Sequence, residues 1–167
     1  MKSTIAVQFT RKRKQVTNYR TRLKLILSGK ERVVIRKTGR SIIVQLTKFD
    51  QKGDLVLASA NSSQLRKHGW QLGMKNIPAA YLTGLLAGKL ALAKNVKEAV
   101  LDVGMNKPVG NGRIYAALKG VVDAGIKVPL SPDIFPSEER INGNHITDKV
   151  KEQFMTVKTN IAGDKNG

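Results

Sequence analysis

The residues of this chain that are best suited to chemistry are arginines and lysines near its beginning. Residues 1–40 carry 13 positive charges against one acid, Glu31, whereas residues 41–167 carry 17 positive and 11 negative charges. Guanidinium groups bind phosphate oxygens bidentately and stack on bases, and ammonium groups bind phosphate as point charges. Phe9 and Tyr19 lie among these charges, where aromatic rings favour base stacking. The pattern predicts a polyanion-binding segment, with nucleic acid as the leading partner.

Two other interpretations of this charge stay open at the level of sequence. A solvated tail that serves only solubility would need neither the arginines nor the interleaved aromatic rings. An anionic membrane surface would also attract a net charge of +18, but the longest apolar stretch, at 79–93, is interrupted by Lys89 and is too short to span a bilayer. We therefore interpret residues 1–28 as a basic arm that becomes ordered on RNA or DNA.

Candidate contact residues follow from this interpretation. The expected phosphate ligands of the arm are Arg11, Lys12, Arg13, Lys14, Arg20, Arg22 and Lys24. Those of the first predicted hairpin are Lys30, Arg32, Arg36, Lys37 and Arg40. Tyr19 and Trp70 are candidates for stacking on bases, although Trp70 beside His68 also suits a simple packing or surface pair. Phosphate contacts of this kind position an RNA but carry little sequence information.

The elements that position these residues follow from hydrophobic periodicity. Three short strands joined by tight turns, at 32–36, 41–47 and 55–59, predict an antiparallel meander. Helical spacing predicts a short helix at 63–68, a buried helix at 78–93 and a further helix at 113–124. A strand at 99–103 lies between the two longer helices. We therefore predict an α/β fold: a mixed β-sheet, built from an antiparallel three-strand meander plus a parallel strand, is covered by helices.

The same patterns give finer expectations. Asn111 is the expected N-cap of the helix at 113–124, and Gly125 its C-terminal stop. Gly84 and Gly88 share one face of the buried helix and are expected to let it lie close against the sheet. We expect an edge strand at 128–130, a loop at 131–146 that closes over other residues, a marginal helix at 148–157 and a frayed end at 162–167. The predicted organisation is an arm at 1–28, an α/β domain at 29–147 and a C-terminal extension at 148–167.

A glycine-rich loop at 104–112 precedes a helix, an arrangement in which backbone N–H groups bind phosphate. The loop matches neither the P-loop nor the dinucleotide-binding pattern. Three interpretations stay open: a mononucleotide site, an RNA phosphate site aided by Lys107 and Arg113, and a simple connecting turn.

Composition and motifs give little support to a disordered, disulfide-bonded, metal-binding or enzymatic protein. A length of 167 residues suits one domain with tails, and 41% hydrophobic residues exclude wholesale disorder. The absence of cysteine excludes disulfides, thiol catalysis and cysteine-ligated metals, and two histidines are too few for a histidine-rich cage. Asp102 and Asp123 lack a third strand carboxylate to complete a nuclease metal site, which favours structural ion pairs. We expect neither a cofactor nor enzyme activity. Because the first forty residues lack the apolar core of a signal peptide, we also expect a soluble cytoplasmic protein.

Several stretches together resemble one known family. Residues 78–87, PAAYLTGLLA, resemble the "AAYxTGLL" helix of the large-subunit ribosomal protein family that binds 5S rRNA, the eighteenth in the universal nomenclature. Residues 112–125 resemble its "vFgALKGavDgG" helix, and 126–131 with Phe135 and Pro136 are similar to the segment that follows. Residues 19–23 and 37–45 are similar to its arm and first hairpin. The likeness runs collinearly over residues 10–150 and is to the archaeal and eukaryotic branch, without the long eukaryotic insertions.

This resemblance implies a structural component of the ribosome without enzyme activity. It implies an α/β domain docked on 5S rRNA in the central protuberance, and an arm that reaches large-subunit rRNA. It also implies neighbouring large-subunit proteins as partners, including the other 5S rRNA binder. Two alternatives are kept beside it: a nucleotide-dependent enzyme centred on 104–115, and a general basic binder of nucleic acids or membrane surfaces.

Overall fold

The structure, a computed structural model, describes residues 7–163. The first six residues of the predicted arm and the last four of the predicted frayed end lie outside this range. The arm contains helices α1 (Thr10–Arg13) and α2 (Tyr19–Leu27). Strands β1 (Glu31–Lys37), β2 (Ile42–Lys48) and β3 (Leu55–Asn61) follow, and a 3₁₀ helix spans Ser62–His68. The remaining elements are α3 (Ile77–Leu92), β4 (Ala99–Asp102), α4 (Arg113–Asp123), a 3₁₀ turn (Pro132–Ile134), α5 (Glu138–Asn142) and α6 (Asp148–Gly163).

The sheet has the strand order β3-β2-β1-β4. Strands β1, β2 and β3 form the predicted antiparallel meander, and β4 pairs in parallel with β1, with Val34 opposite Asp102. Because side chains alternate along a strand, Val33 and Ile35 point to one face, and Arg32, Val34 and Arg36 point to the other. We call the first face inner and the second outer. The predicted α/β fold class is confirmed.

The inner face of the sheet packs against α3 and α4. Val33, Ile35, Val44 and Leu46 are fully buried in one cluster with alanines of α3 and with Leu118 of α4. The glycines of α3 have another role than expected, because they face α4 and not the sheet. A Cβ atom on Gly84 would overlap the carbonyl oxygen of Ala117, and one on Gly120 would overlap that of Tyr81. The two helices therefore approach closely enough for backbone to touch backbone.

The C-terminal helix is longer and better docked than expected. Its apolar stripe of Val150, Phe154, Val157 and Ile161 is buried in a second cluster beside α3 and the 3₁₀ helix. The ammonium group of Lys89 donates hydrogen bonds to the carbonyl oxygens of Ile161 (2.6 Å) and Ala162 (2.8 Å). These bonds satisfy carbonyls that a helix end leaves unpaired. Residues 162 and 163, which the sequence predicts to fray, belong to α6 in the structure.

Three local expectations fail between 111 and 146. Asn111 adopts a φ of 57°, and Gly112 is the N-cap of α4. Residues 128–130 form no strand, and the pairing is a single parallel bridge between Glu98 and Lys127, since Pro129 has no N–H group with which to continue it. The segment 131–146 is mostly exposed, but it is not a loop throughout: it contains α5, and Ile141 on α5 is buried in the second cluster. Gly125, with a φ of 114°, follows α4 as expected.

Candidate nucleic-acid interface

The arm presents most of its predicted phosphate ligands to solvent. No acidic residue occurs before Glu31. The side chains of Arg11, Lys12, Arg13, Lys14, Arg20 and Lys24 are exposed. Asn18 caps α2 by accepting a hydrogen bond from the backbone N–H of Thr21, which sets the start of the helix. The rings of Phe9 and Tyr19 lie 5.6 Å apart and are both exposed at the surface, so aromatic faces accompany the charge.

Helix α2 lies against the outer face of the sheet, near β4. Arg22, Leu25 and Ile26 occupy one side of the helix and are half-buried, whereas Arg20 and Lys24 are exposed. A spacing of three and four residues places side chains on the same side of a helix. The geometry therefore divides the cations of α2 into one that faces the protein and two that face outward.

A network of five charged side chains joins α2 to the outer face of the sheet. Arg32 is 1% exposed. Its Nη1 lies 3.1 Å from Asp102 Oδ2. Its Nη2 lies 2.7 Å from Asp54 Oδ2, and this contact is an ion pair without hydrogen-bond geometry. Arg22 donates a hydrogen bond of 2.9 Å to Asp54 Oδ1. Arg36 donates to the carbonyl oxygen of Asp102 at 3.0 Å and to its Oδ1 at 3.4 Å.

The environment of Asp54 favours its ionised form. Burial alone would raise its pKa, but the contacts and positive charges of Arg32 and Arg22 outweigh that effect, so the pKa of Asp54 lies below its ordinary value. Asp54 is therefore a carboxylate at neutral pH. Asp54 and Asp102 are held in ion pairs within the protein, and within residues 7–163 no ion pair joins an exposed arginine or lysine of the arm to an acid.

The β1–β2 hairpin carries further predicted ligands. Lys37 and Arg40 are exposed on it. Lys30, just before β1, is exposed and forms an ion pair of 2.7 Å with Glu98, and this contact lowers the pKa of Glu98. An ion pair this exposed contributes little to stability.

The glycine-rich loop closes a small basic hollow beside this hairpin. Lys37, Lys107 and Arg113 line a cavity of about 240 Å³ together with Val109, Gly112 and Ile114. Lys107 is exposed, whereas Arg113 is half-buried and donates to the carbonyl oxygen of Lys75 at 3.2 Å. The loop thus brings Lys107 and Arg113 close to a residue of the hairpin, a proximity that their sequence separation does not reveal.

Two predicted contact residues are not at the surface. Trp70 is fully buried, packs in the second cluster, and donates its indole N–H to the carbonyl oxygen of Gly73 at 3.2 Å. It is a core residue and has no exposed ring face for a base. Arg32 is buried under α2 with two acidic partners, so its guanidinium is a structural charge. Both residues leave the candidate set.

The aspartates considered for metal chemistry take structural roles. Asp102 pairs with Arg32 and Arg36. Asp123 lies 2.9 Å from the ammonium group of Lys119 and accepts a hydrogen bond of 2.9 Å from the Tyr81 hydroxyl. Burial and the contact with Asp123 raise the pKa of Tyr81. The preference for structural ion pairs is confirmed, and within residues 7–163 no cluster of three or more histidine or acidic side chains has the geometry to hold a metal ion.

Sequence reasoning missed the acidic half of this surface. Asp54 lies in the predicted tight turn before the third strand, yet it contacts both the arm helix and β1. One signal was available in the sequence. Arg32 and Arg36 lie on the same face of a strand whose intervening residues are β-branched, and an arginine on a strand face that is covered by another element needs an acid nearby.

Comparison with known proteins identifies the family. Residues 3–98 match the family model described as "Ribosomal large subunit proteins 60S L5, and 50S L18". The chain is 47% identical over 161 residues to "Large ribosomal subunit protein uL18" of Methanothrix thermoacetophila, covering 94% of this chain and 95% of that protein. The chain belongs to the uL18 family. It is also similar to the uL18 proteins of Korarchaeum cryptofilum (51% over 150 residues, 88% of this chain and 77% of the relative) and Thermofilum pendens (46% over 145 residues, 87% and 74%).

Membership of the uL18 family confirms a ribosomal role of the archaeal type. A uL18 protein is a component of the large ribosomal subunit, which implies ribosomal RNA and other ribosomal proteins as partners. The exposed arginines and lysines of the arm suit an RNA environment of this kind. Within residues 7–163, no helix has both the length and the apolar character to cross a membrane.

Proposed function

We propose that this uL18-family chain is a non-enzymatic component that binds 5S rRNA and helps attach it to large-subunit rRNA in the central protuberance. One observation carries the RNA-binding part: the arm and the β1–β2 hairpin expose cations, while the aspartates beside them are held in internal ion pairs. The choice of 5S rRNA rests on the resemblance of residues 78–87 and 112–125 to the family's helices.

The contact set follows from exposure. Residues whose cations face solvent act as phosphate ligands. They are Arg11, Lys12, Arg13, Lys14, Arg20, Lys24, Lys30, Lys37, Arg40 and Lys107. Arg22, Arg36 and Arg113 are half-buried with protein partners, so their main role is to hold the surface in shape. Tyr19 supplies a ring for stacking on a base, and the fold of the RNA supplies the discrimination.

Phosphate contacts of this number predict a strong dependence of affinity on salt. A protein that neutralises 6–10 phosphates loses about 10³–10⁵ in affinity between 50 and 200 mM salt. The α/β domain, with its closely packed helices, serves as a rigid base for these contacts and needs no reacting groups.

A competition assay at about physiological salt tests the proposal. Labelled 5S rRNA bound to the protein is challenged with excess tRNA and then with duplex DNA. Survival of the complex supports recognition of folded 5S rRNA. Displacement by tRNA as readily as by unlabelled 5S rRNA supports the general basic binder instead.

A thermal-shift titration tests the enzyme alternative centred on residues 104–115. A mononucleotide that binds this loop stabilises the protein by about 2.7 kcal/mol at one hundred times its Kd. We expect no saturable shift with any nucleotide. A saturable shift that Arg113→Ala abolishes would support a nucleotide-dependent activity.

A further inference from the structure

Asp54 is an acid at the centre of a basic surface. It lies just before β3, in the turn that follows β2, and it is half-buried. One of its oxygens accepts a hydrogen bond from Arg22 of α2, and the other lies 2.7 Å from Arg32 of β1. A carboxylate in this position lowers the positive charge of the surface, so its presence calls for a structural reason.

Helix α2 has little else to hold it. It is nine residues long and contains no fully buried residue, and only Leu25 and Ile26 among its apolar side chains are half-buried. Leu23 and Leu27 are 58% and 75% exposed. A helix of this length is marginal in water without tertiary contacts. Its order therefore depends on the few contacts that it makes with the sheet, of which Arg22–Asp54 is a charged one.

The partner side of this contact is rigid. Arg32 is buried and lies between Asp54 and Asp102, and Asp102 in turn holds Arg36. A buried guanidinium needs its counter-charges, which fixes the carboxylate of Asp54 in place. Arg22 thus meets an acceptor that is already oriented.

We propose that Asp54 is a positioning residue that docks the arm helix α2 on the outer face of the sheet before any RNA is bound. The docked helix turns Arg20 and Lys24 outward. RNA then contacts cations that are already arranged, so the free energy of binding does not include the entropic cost of ordering the helix. The consequence for RNA rests on the proposed function, whereas the docking itself does not.

For the removal of this acid, the proposal predicts weaker RNA binding, whereas net charge alone predicts stronger RNA binding. Replacing an acid by its amide raises the net charge by one and should strengthen RNA binding if charge alone decided it. Asp54→Asn is expected to weaken binding several-fold, because α2 loses its anchor. Asp50→Asn is the matched control: Asp50 is an exposed acid in the same turn, and its substitution is expected to leave binding unchanged or slightly stronger.

Amide hydrogen exchange of the RNA-free protein gives the direct test. In Asp54→Asn we expect the amides of α2 to exchange about tenfold faster or more, while those of β1 and β2 keep their protection. Asp50→Asn should leave α2 as in the wild type. Unchanged exchange of α2 in Asp54→Asn, with the fold intact, overturns the proposal.

A second pair of variants covers the case in which Asp54→Asn unfolds because Arg32 loses a counter-charge. Arg22→Gln removes only the arm's side of the contact and leaves Arg32 with both acids. Arg20→Gln removes a charge from the outward side of the same helix. Faster exchange of α2 in Arg22→Gln but not in Arg20→Gln supports docking, and equal exchange in the two overturns it. If α2 is protected as expected and the wild type shows no preference for 5S rRNA, the proposed function fails while the docking stands.

Discussion

Arg32 and Asp102 form an ion pair between the neighbouring parallel strands β1 and β4, with Nη1 3.1 Å from Oδ2. The side chain of Arg32 is 2% exposed and that of Asp102 is 10% exposed. The pair therefore lies inside the protein under the arm. Arg32, whose type and position suit a phosphate ligand, instead supports the surface that carries the proposed phosphate ligands.

Arg32→Ala is expected to destabilise the protein strongly. Asp102 and Asp54 lose the partner that they share, although Arg36 and Arg22 remain beside them. Breaking a buried pair from one side costs about 3–5 kcal/mol when nothing compensates the remaining charge, so the loss should approach that range from below. The free energy of unfolding from urea titration measures this. Arg40→Ala removes an exposed arginine of the hairpin and should change stability by no more than about 0.5 kcal/mol. Equal stability of the two variants would show that Arg32 is not a structural charge.

The outward side of α2 is expected to contribute phosphate contacts. Arg20→Ala with Lys24→Ala should lower the slope of log affinity against log salt by about 1 to 2, since two phosphate contacts are lost. Lys149→Ala with Lys151→Ala is the control, because it removes two exposed charges from α6, which packs on the helical side of the protein. A slope that falls equally in both double variants would indicate attraction by net charge without a defined surface.

The close approach of α3 and α4 is expected to make Gly84 irreplaceable. An alanine in a helix interior normally stabilises by about 0.5–1 kcal/mol relative to glycine. At Gly84 the added methyl group meets the backbone of Ala117, which has no freedom to rotate away, so overpacking should cost at least about 1–3 kcal/mol. Gly163→Ala, where nothing lies within 4 Å, should not destabilise. Thermal unfolding of the two variants checks this, and a stable Gly84→Ala protein would contradict the interhelical packing.

The stability that Asp54 contributes is expected to disappear in acid. Its folded pKa lies below the ordinary value of 3.8, so the folded state favours the carboxylate, and its contribution is fully present above that pH. As the pH falls below 3.8 toward the folded pKa, protonation removes the attraction to Arg22 and Arg32. The difference in unfolding free energy between wild type and Asp54→Asn should therefore be constant near neutral pH and shrink below pH 3.8. A difference that grows in acid would reverse the assigned sign.

Lys89 is expected to hold the end of α6. Lys89→Met keeps the aliphatic stem and removes the hydrogen bonds to Ile161 and Ala162. A cation at a helix C-terminus contributes about 0.3–1 kcal/mol, so the loss should be of that size and confined to the last turn. Hydrogen exchange of residues 158–163 measures it, with Lys94→Met, an exposed lysine just after α3, as the control. Protection unchanged in Lys89→Met would show that the apolar stripe alone holds the helix end.

Part of the candidate surface was predictable because it depends on local sequence. Arg20 and Lys24 occur in a segment without acids, and no tertiary contact is needed to leave them exposed. The prediction that Arg32 and Trp70 contact RNA is wrong because residue type suggests a chemistry but does not show whether the side chain is buried. Both are amphipathic side chains that suit either a core with a polar partner or a surface.

The sequence by itself determined the four strands and the two central helices of the α/β fold, and the charge of this protein. Alternation in β1 and β2, the helical spacing of α3 and α4, and the basic arm are local patterns, and local patterns specify strands, helices and net charge. The tertiary structure alone decided that Gly84 faces a helix, that α6 docks through Phe154, and that Asp54 joins the arm to the sheet. These are contacts between residues far apart in the chain, and they form only when the whole fold brings the faces together.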